Sequence, residues 1–108
     1  MRTMRIKRQN FDAIVAGRKT LEIRVGYDSI KRLSSGDSLK LESGSASQVL
    51  RIEAIRVYDS FSEMLGNEPL ARIMPGVGDK LVALRILRSI YPSDKERLGV
   101  YVIEVAKA

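Results

Sequence analysis

The segment Phe11 to Arg24, FDAIVAGRKTLEIR, holds the residues best placed to do chemistry. Lys19, Glu22 and Arg24 follow one another closely, so two cations and one carboxylate come together at one end of a strand. The cations could neutralise a phosphate, and the carboxylate could accept hydrogen bonds from the amino group of a base. A surface strand with a Glu22–Arg24 pair and no ligand is the alternative reading of the same spacing.

The distribution of charge along the chain is consistent with both readings. The chain has 108 residues and a net charge of +6, and residues 1–32 contain nine Lys or Arg against three Asp or Glu. The whole positive excess therefore lies in the first third of the chain, which favours a surface that meets phosphates. A solvated basic face without a ligand remains the alternative.

Composition excludes several kinds of site. The chain has no His and no Cys, so it can build neither a Ser-His-Asp triad, nor a Cys nucleophile, nor a His/Cys zinc centre. We expect no metal and no cofactor. No apolar run is long enough to span a bilayer and no secretory signal follows the basic N-terminus, so we expect a cytoplasmic protein that does not bind membranes.

The elements that must position this segment follow from periodicity. A strand is expected at Met4 to Arg8, followed by a helix that Asn10 caps and that Gly17 ends. Arg18 to Val25 alternates with period two, which predicts a strand with Thr20, Glu22 and Arg24 on its polar face.

Further along, two strands surround a hairpin at Gly44 to Ser47. In the second, Gln48 to Tyr58, the apolar positions change parity near Ala54, which predicts a β-bulge of the kind that curls a sheet.

Three helices and a last strand complete the chain. Ser60 to Glu63 forms a capping box for a short helix that Gly66 ends, Pro69 opens a second helix, and Asp79 caps the longest one. A further capping box is expected at Ser93 and Glu96, and Val100 to Val105 reads as a central strand. The order predicts a single α+β domain over residues 1–108, a small mixed β-barrel flanked by short helices.

The chain resembles the ASCH (activating signal cointegrator homology) domain family of the PUA-like superfamily. The resemblance rests on Gly17, Lys19, Thr20, Glu22 and Arg24, with support from Ser35-Gly36-Asp37, Arg56-Val57-Tyr58, Pro75-Gly76 and Ile90-Tyr91-Pro92. It implies a PUA-like barrel with a cleft between barrel and helices that accepts RNA or a nucleoside. It also implies that Lys19, Glu22 and Arg24 line that cleft, with Ser60, Phe61, the Pro75-Gly76 loop and Tyr91 around it.

Some members of the family are amidohydrolases that deacetylate an acetylated cytidine nucleoside, with a Lys, a Thr three residues later and a distant Glu. Lys19 matches that Lys, but Glu22 stands at the Thr position, and Thr20 has the wrong spacing to replace it. Glu68 is the one loop candidate for the distant Glu. If the protein is an enzyme, Lys19 and Glu22 would be its acid–base pair.

Our leading hypothesis is an RNA-binding domain, with a small amidohydrolase acting on a modified nucleoside as the alternative. The expected partner is RNA, a nucleoside or a nucleotide, and the expected state is a monomer. The residues predicted to bind are Arg18, Lys19, Thr20, Glu22, Arg24, Lys31, Arg32, Tyr58, Ser60 and Tyr91.

Overall fold

A computed structural model describes residues 1–108. It contains five strands: β1 (Arg2–Arg5), β2 (Leu21–Val25), β3 (Ser38–Ser43), β4 (Ala46–Tyr58) and β5 (Val100–Lys107). Five helices accompany them: α1 (Arg8–Val15), α2 (Asp28–Lys31), α3 (Phe61–Asn67), α4 (Leu70–Ile73) and α5 (Lys80–Ile90). A 3₁₀ turn, Glu96–Leu98, precedes β5.

The five strands form one mixed sheet in the order β1-β3-β4-β5-β2. Only β1 and β3 run parallel, and the other neighbours are antiparallel. The sheet curls into a half-barrel, so the two strands at its ends approach each other. The Arg24 guanidinium of β2 donates a hydrogen bond to the Arg5 carbonyl of β1 at 3.1 Å. The predicted α+β class and barrel-like sheet are confirmed, and β5 is an interior strand between β4 and β2, covered on both faces as its apolar sequence predicts.

The predicted bulge in β4 is present. The register with β5 shifts between Ile52 and Ala54, so Glu53 is the extra residue. Before the bulge, Leu50 and Ile52 lie on the concave face, whereas after it Arg56 and Tyr58 lie on the convex face. The even-numbered residues of β4 therefore change face at the bulge.

Each face of the sheet covers its own apolar core. The concave core combines α1, α2 and the strands β1, β3, β4 and β5, and includes Phe11, Ile14 and Ile103. The convex core packs α3, α4 and α5 against β2 and β5, and includes Phe61 and Leu87. Strand β5 alternates between them, since Val102 belongs to the convex core and Ile103 to the concave one.

Several helix ends differ from the sequence prediction. Helix α1 begins at Arg8 with Lys7 at its N-cap, so Asn10 lies inside the helix and caps nothing. Gly66 lies inside α3 with an ordinary negative φ, and the helix ends at Asn67. Ser93 caps no helix either, because the 3₁₀ turn starts after Lys95 and the Glu96 carboxylate accepts from the Phe61 amide instead.

Other helix ends agree with the sequence prediction. Gly17 has a φ of 79°, the left-handed conformation that ends a helix most easily at glycine. The Ser60 hydroxyl caps α3 by accepting from the Glu63 amide, and the Asp79 carboxylate caps α5 by accepting from the Leu81 amide. None of the helices has the length and apolar character that crossing a membrane requires.

Candidate functional site

Lys19 lies between the end of α1 and the start of β2, where the left-handed Gly17 turns the chain. Its side chain is 5% exposed. The ammonium donates to the Leu21 carbonyl at 2.8 Å and to the Ile73 carbonyl at 2.7 Å, and lies 3.2 Å from Glu22 Oε1. Two of its three N–H groups are thus used by main-chain carbonyls, and the Glu22 carboxylate is its ion-pair partner.

Glu22 stands on β2 with its carboxylate held from both sides. Oε1 faces Lys19, and Oε2 accepts from Arg24 Nε at 2.7 Å. The β2–β5 register pairs Glu22 with Ile103 and Arg24 with Tyr101, so both side chains lie on the concave face beside an apolar core. The carboxylate is 10% exposed and keeps one lone pair free on each oxygen.

Arg24 has more hydrogen-bonding capacity than its neighbours use. Of its five N–H groups, one bonds to Glu22 and one to the Arg5 carbonyl. Three N–H groups are left, and a quarter of the side chain is exposed. Arg24 can therefore bind a further acceptor without breaking the contacts that orient it.

Helix α4 closes this region from above. The Arg72 guanidinium donates to the Gly17 carbonyl at 3.2 Å, and the Thr20 amide donates to the Arg72 carbonyl at 3.1 Å. With the Lys19–Ile73 bond, three hydrogen bonds join α4 to the segment that carries the chemistry. The geometry of Lys19 and Glu22 is thus fixed before any ligand arrives.

These groups line a cleft of about 500 Å³ between the sheet and the helices α1, α4 and α5. Five of its lining residues are cationic and one is a carboxylate; the charged set is Arg5, Lys7, Arg18, Lys19, Glu22 and Arg24. Apolar residues from the helix side complete the wall: Ile73, Met74, Pro75, Val77, Ile86, Leu87, Ile90 and Tyr91 are among them. The cleft has the size and the mixed lining of a small-molecule or single-nucleotide site.

Tyr91 lies in the cleft wall just after α5. Its ring stacks on Phe61 with a centroid distance of 5.8 Å and an angle of 29° between the planes. Burial raises the pKa of the Tyr91 hydroxyl, while the charges of Arg24 and Glu22 act on it in opposite directions. Phe61 itself is fully buried in the convex core and supports Tyr91 from behind.

The structure brings together Arg18, Lys19, Glu22, Arg24 and Tyr91 of the predicted set, along with Pro75. It also adds Arg5 and Lys7, which the sequence reading used only for net charge. Their position depends on the pairing of β1 with β3, more than thirty residues away, and no local pattern carries that information.

The other predicted residues do not line the cleft. Lys31 and Arg32 are exposed at the end of α2, because that helix turns Ile30 and Leu33 into the core. Thr20 uses its backbone to extend the β2–β5 pairing, accepting from the Val105 amide. Ser60 is occupied as the α3 cap.

Tyr58 belongs instead to a second polar cluster, on the convex face. The Arg56 guanidinium forms two hydrogen bonds with Glu68, at 2.7 and 2.9 Å, and another with Glu104 at 2.9 Å. Tyr58 donates its hydroxyl to Glu68 as well. The hydrogen bonds from Arg56 lower the pKa of Glu68 below its ordinary range, and the hydrogen bond to Glu68 raises the pKa of Tyr58.

Glu68 is therefore committed to Arg56 and Tyr58 and does not line the cleft with Lys19. The signal that could have found this cluster is the bulge, which turns Arg56 and Tyr58 towards the same face as Glu104. The partner from the α3–α4 loop could not be read from the strand pattern.

Taken together, these features describe a small α+β half-barrel with a preformed charged cleft between its second strand and its helices. The chain belongs to the ASCH domain family: the model of the ASCH domain matches residues 4–108. The resemblance expected from Gly17, Lys19, Glu22 and Arg24 is confirmed.

Two solved structures are close in fold. The crystal structure of hypothetical protein PH0355 superposes with a TM-score of 0.90 at 29% identity, covering 98% of this chain and 97% of that one. The solution NMR structure of protein PF0455 from Pyrococcus furiosus gives a TM-score of 0.81 at 31% identity, with 98% and 96% covered. Comparison with curated proteins found no significant match.

Proposed function

We propose that this domain binds RNA by taking one unpaired nucleotide into the cleft. The observation that carries the proposal is the Glu22 carboxylate, which Lys19 and Arg24 hold in place on the floor of the cleft with a free lone pair on each oxygen. Burying such charges contributes little to stability by itself, which favours a role in recognition.

The base would be read at Glu22. Proteins that recognise single-stranded RNA hydrogen-bond to the Watson–Crick edge of a splayed base. A carboxylate accepts N–H groups, so it suits the amino groups of adenine, cytosine and guanine. The single N–H of uracil stands between two carbonyl oxygens, which a carboxylate repels. We therefore expect uracil to bind least well.

The backbone would be held by the exposed cations at the rim, Arg5, Lys7 and Arg18. Such contacts release counterions, so affinity should fall as salt rises. The position of these three cations next to a base-sized cavity is what distinguishes this proposal from a solvated basic face.

The amidohydrolase alternative has less support. Lys19 is held by two main-chain carbonyls and an ion pair, contacts that would have to change for it to serve as an acid or base, and Glu22 occupies the position of the family's Thr nucleophile. RNA binding needs no rearrangement of these groups.

The test is fluorescence anisotropy with single-stranded RNA decamers of each base, at low and at raised salt. Glu22→Gln should lower the affinity and reduce the discrimination against uracil, and Arg18→Gln should weaken binding to all four decamers about equally. The matched controls are Glu53→Gln and Arg85→Gln, which remove the same charges from exposed residues outside the cleft.

Arg18 is exposed, so Arg18→Gln should fold normally even if Glu22→Gln does not. Absence of binding at low salt, or an affinity that Glu22→Gln and Arg18→Gln change no more than their controls do, would show that the proposal is wrong.

A further inference from the structure

A second depression of about 440 Å³ lies on the other side of the Arg24–Arg5 hydrogen bond. We call it the seam pocket, because it follows the open seam between the edge strands β1 and β2. Its polar lining comes from Arg2, Thr3, Arg5, Arg24 and Ser29, and four apolar residues complete it. Arg5 and Arg24 line both this pocket and the cleft, so the two cavities share one wall.

The polar lining of the seam pocket consists of donors. It contains three arginines and two hydroxyls, from Thr3 and Ser29, and no carboxylate. The Arg5 guanidinium has a distant partner in Glu42 at 3.5 Å, whereas Arg2 has no ion-pair partner. Arg24 adds the N–H groups that Glu22 and Arg5 leave unused.

This chemistry differs from that of the cleft in one respect. The cleft offers a carboxylate acceptor that suits the N–H groups of a base, whereas the seam pocket offers guanidinium and hydroxyl donors that suit an anion with several oxygens. A phosphodiester group is such an anion, whereas an uncharged base has no negative charge for the arginines to neutralise.

We infer that the seam pocket is an anion subsite for the phosphodiester group adjoining the nucleotide in the cleft. This inference rests on the proposed function, since the bound RNA strand would cross the Arg24–Arg5 hydrogen bond. Its base would then lie in the cleft on one side and its next phosphate in the seam pocket on the other. Arg24 contacts both, and Arg2 holds the phosphate from the far wall.

Two measurements test the subsite. The first compares the salt dependence of binding to a randomised single-stranded RNA hexamer for the wild type, Arg2→Gln and Arg85→Gln. Arg85 is an exposed arginine without an ion pair that lines neither cavity, so it controls for loss of charge alone. Losing one phosphate contact should reduce the slope of log affinity against log salt by about 0.7 in Arg2→Gln and leave it unchanged in Arg85→Gln.

The second measurement titrates inorganic phosphate into the ¹⁵N-labelled protein at low salt. The amides of Thr3 and Ser29 should shift in the wild type and in Arg85→Gln, and not in Arg2→Gln. This readout needs no RNA.

The outcomes separate the two proposals. If the hexamer binds in a Glu22-dependent way while Arg2→Gln keeps the full salt slope and phosphate leaves Thr3 and Ser29 unmoved, the subsite is wrong and RNA binding in the cleft stands. If phosphate shifts both amides but no hexamer binds, the anion subsite stands and the RNA-binding proposal is wrong.

Discussion

Arg24 of β2 and Arg5 of β1 are joined by a hydrogen bond of 3.1 Å between a guanidinium and a main-chain carbonyl, although no backbone ladder links their strands. The same guanidinium orients Glu22 through Nε. One side chain thus connects the two ends of the half-barrel and fixes the floor of the cleft.

Replacing Arg24 should therefore destabilise the fold as well as the site. We expect Arg24→Gln to lower the free energy of unfolding by about 1.5–3 kcal/mol, the usual range for a hydrogen bond to a charged group. Urea titration measures this. Arg51→Gln is the control, because it breaks an exposed pair with Glu53 and should cost less than about 1 kcal/mol. Equal effects of the two substitutions would contradict the bridging role of Arg24.

Lys19 and Glu22 should be energetically coupled. Lys19→Met removes one partner of a buried ion pair and should cost about 3–5 kcal/mol in the free energy of unfolding. The double variant Lys19→Met/Glu22→Gln should cost clearly less than the two single variants added together, because no carboxylate then lacks its ammonium. Costs that add to within about 0.5 kcal/mol would show that the pair is uncoupled.

Glu68 should make stability depend on acid pH. Its pKa in the folded protein is held below the ordinary value of 4.5 by hydrogen bonds from Arg56. A lowered pKa contributes stability above 4.5, and this contribution is lost as the pH falls through the folded value. The difference in unfolding free energy between the wild type and Glu68→Gln should be constant near neutral pH. It should shrink as the pH falls below 4.5.

Urea titrations at a series of pH values between neutral and strongly acidic would measure that difference. Glu53→Gln serves as the control, since Glu53 is an exposed carboxylate paired only with Arg51 and should give a small difference at every pH. If the difference in unfolding free energy between the wild type and Glu68→Gln stayed the same throughout the acid range, this would contradict the lowered pKa of Glu68.

Replacement by alanine should change the stability of the protein in opposite directions at two glycines, Gly66 and Gly26. Gly66 lies inside α3 with open space around it, so Gly66→Ala should stabilise the protein by about 0.5–1 kcal/mol. A methyl group at Gly26 would collide with the Leu98 carbonyl and lie 2.8 Å from the Tyr101 ring. Gly26→Ala should therefore cost about 1–3 kcal/mol. Thermal melts distinguish the two, and a stabilised Gly26→Ala would contradict the close approach of Gly26 to Leu98 and Tyr101.

Two tyrosines, Tyr58 and Tyr91, belong to the set predicted from the sequence to bind, and they should differ in RNA binding if the proposed function is correct. Tyr91→Leu keeps much of the apolar volume against Phe61 but removes the ring from the cleft, and should weaken the affinity by the equivalent of about 1–3 kcal/mol. Tyr58→Leu removes the same kind of ring, with its hydrogen bond to Glu68, outside the cleft and should leave the affinity unchanged. Anisotropy titrations with the decamers measure both, and the opposite ranking would contradict the position of the cleft.

Short-range patterns predicted the parts of the fold that depend on them. The left-handed end of α1 at Gly17, the Ser60 and Asp79 caps and the alternation along β2 are all local, and the bulge near Ala54 followed from a change of parity within one strand. Asn10, Gly66 and Ser93 were misread, because their residue types favour helix ends in general while packing decided the actual ends.

The complete site could not be predicted from the sequence, because the residues that position its side chains are distant in sequence. Lys19 and Glu22 were found from their spacing, but the Ile73 carbonyl that fixes Lys19 lies 54 residues away. Arg5 lies in the site only because β1 pairs with β3, whereas Lys31 and Arg32 lie outside it because α2 turns their neighbours inward. Tertiary packing decides which of these cations line the cleft, and the periodicity of the sequence does not show it.

The extra residue in β4 also marks a position where the strand can change in length. Deleting Glu53 would make Ile52 and Ala54 neighbours opposite Val105 and Glu104, so the ladder would become regular and Arg56 and Tyr58 would keep the face they have now. Loss of this one residue should therefore be tolerated, whereas an additional residue elsewhere in the paired part of β4 would exchange the two faces of the strand beyond it.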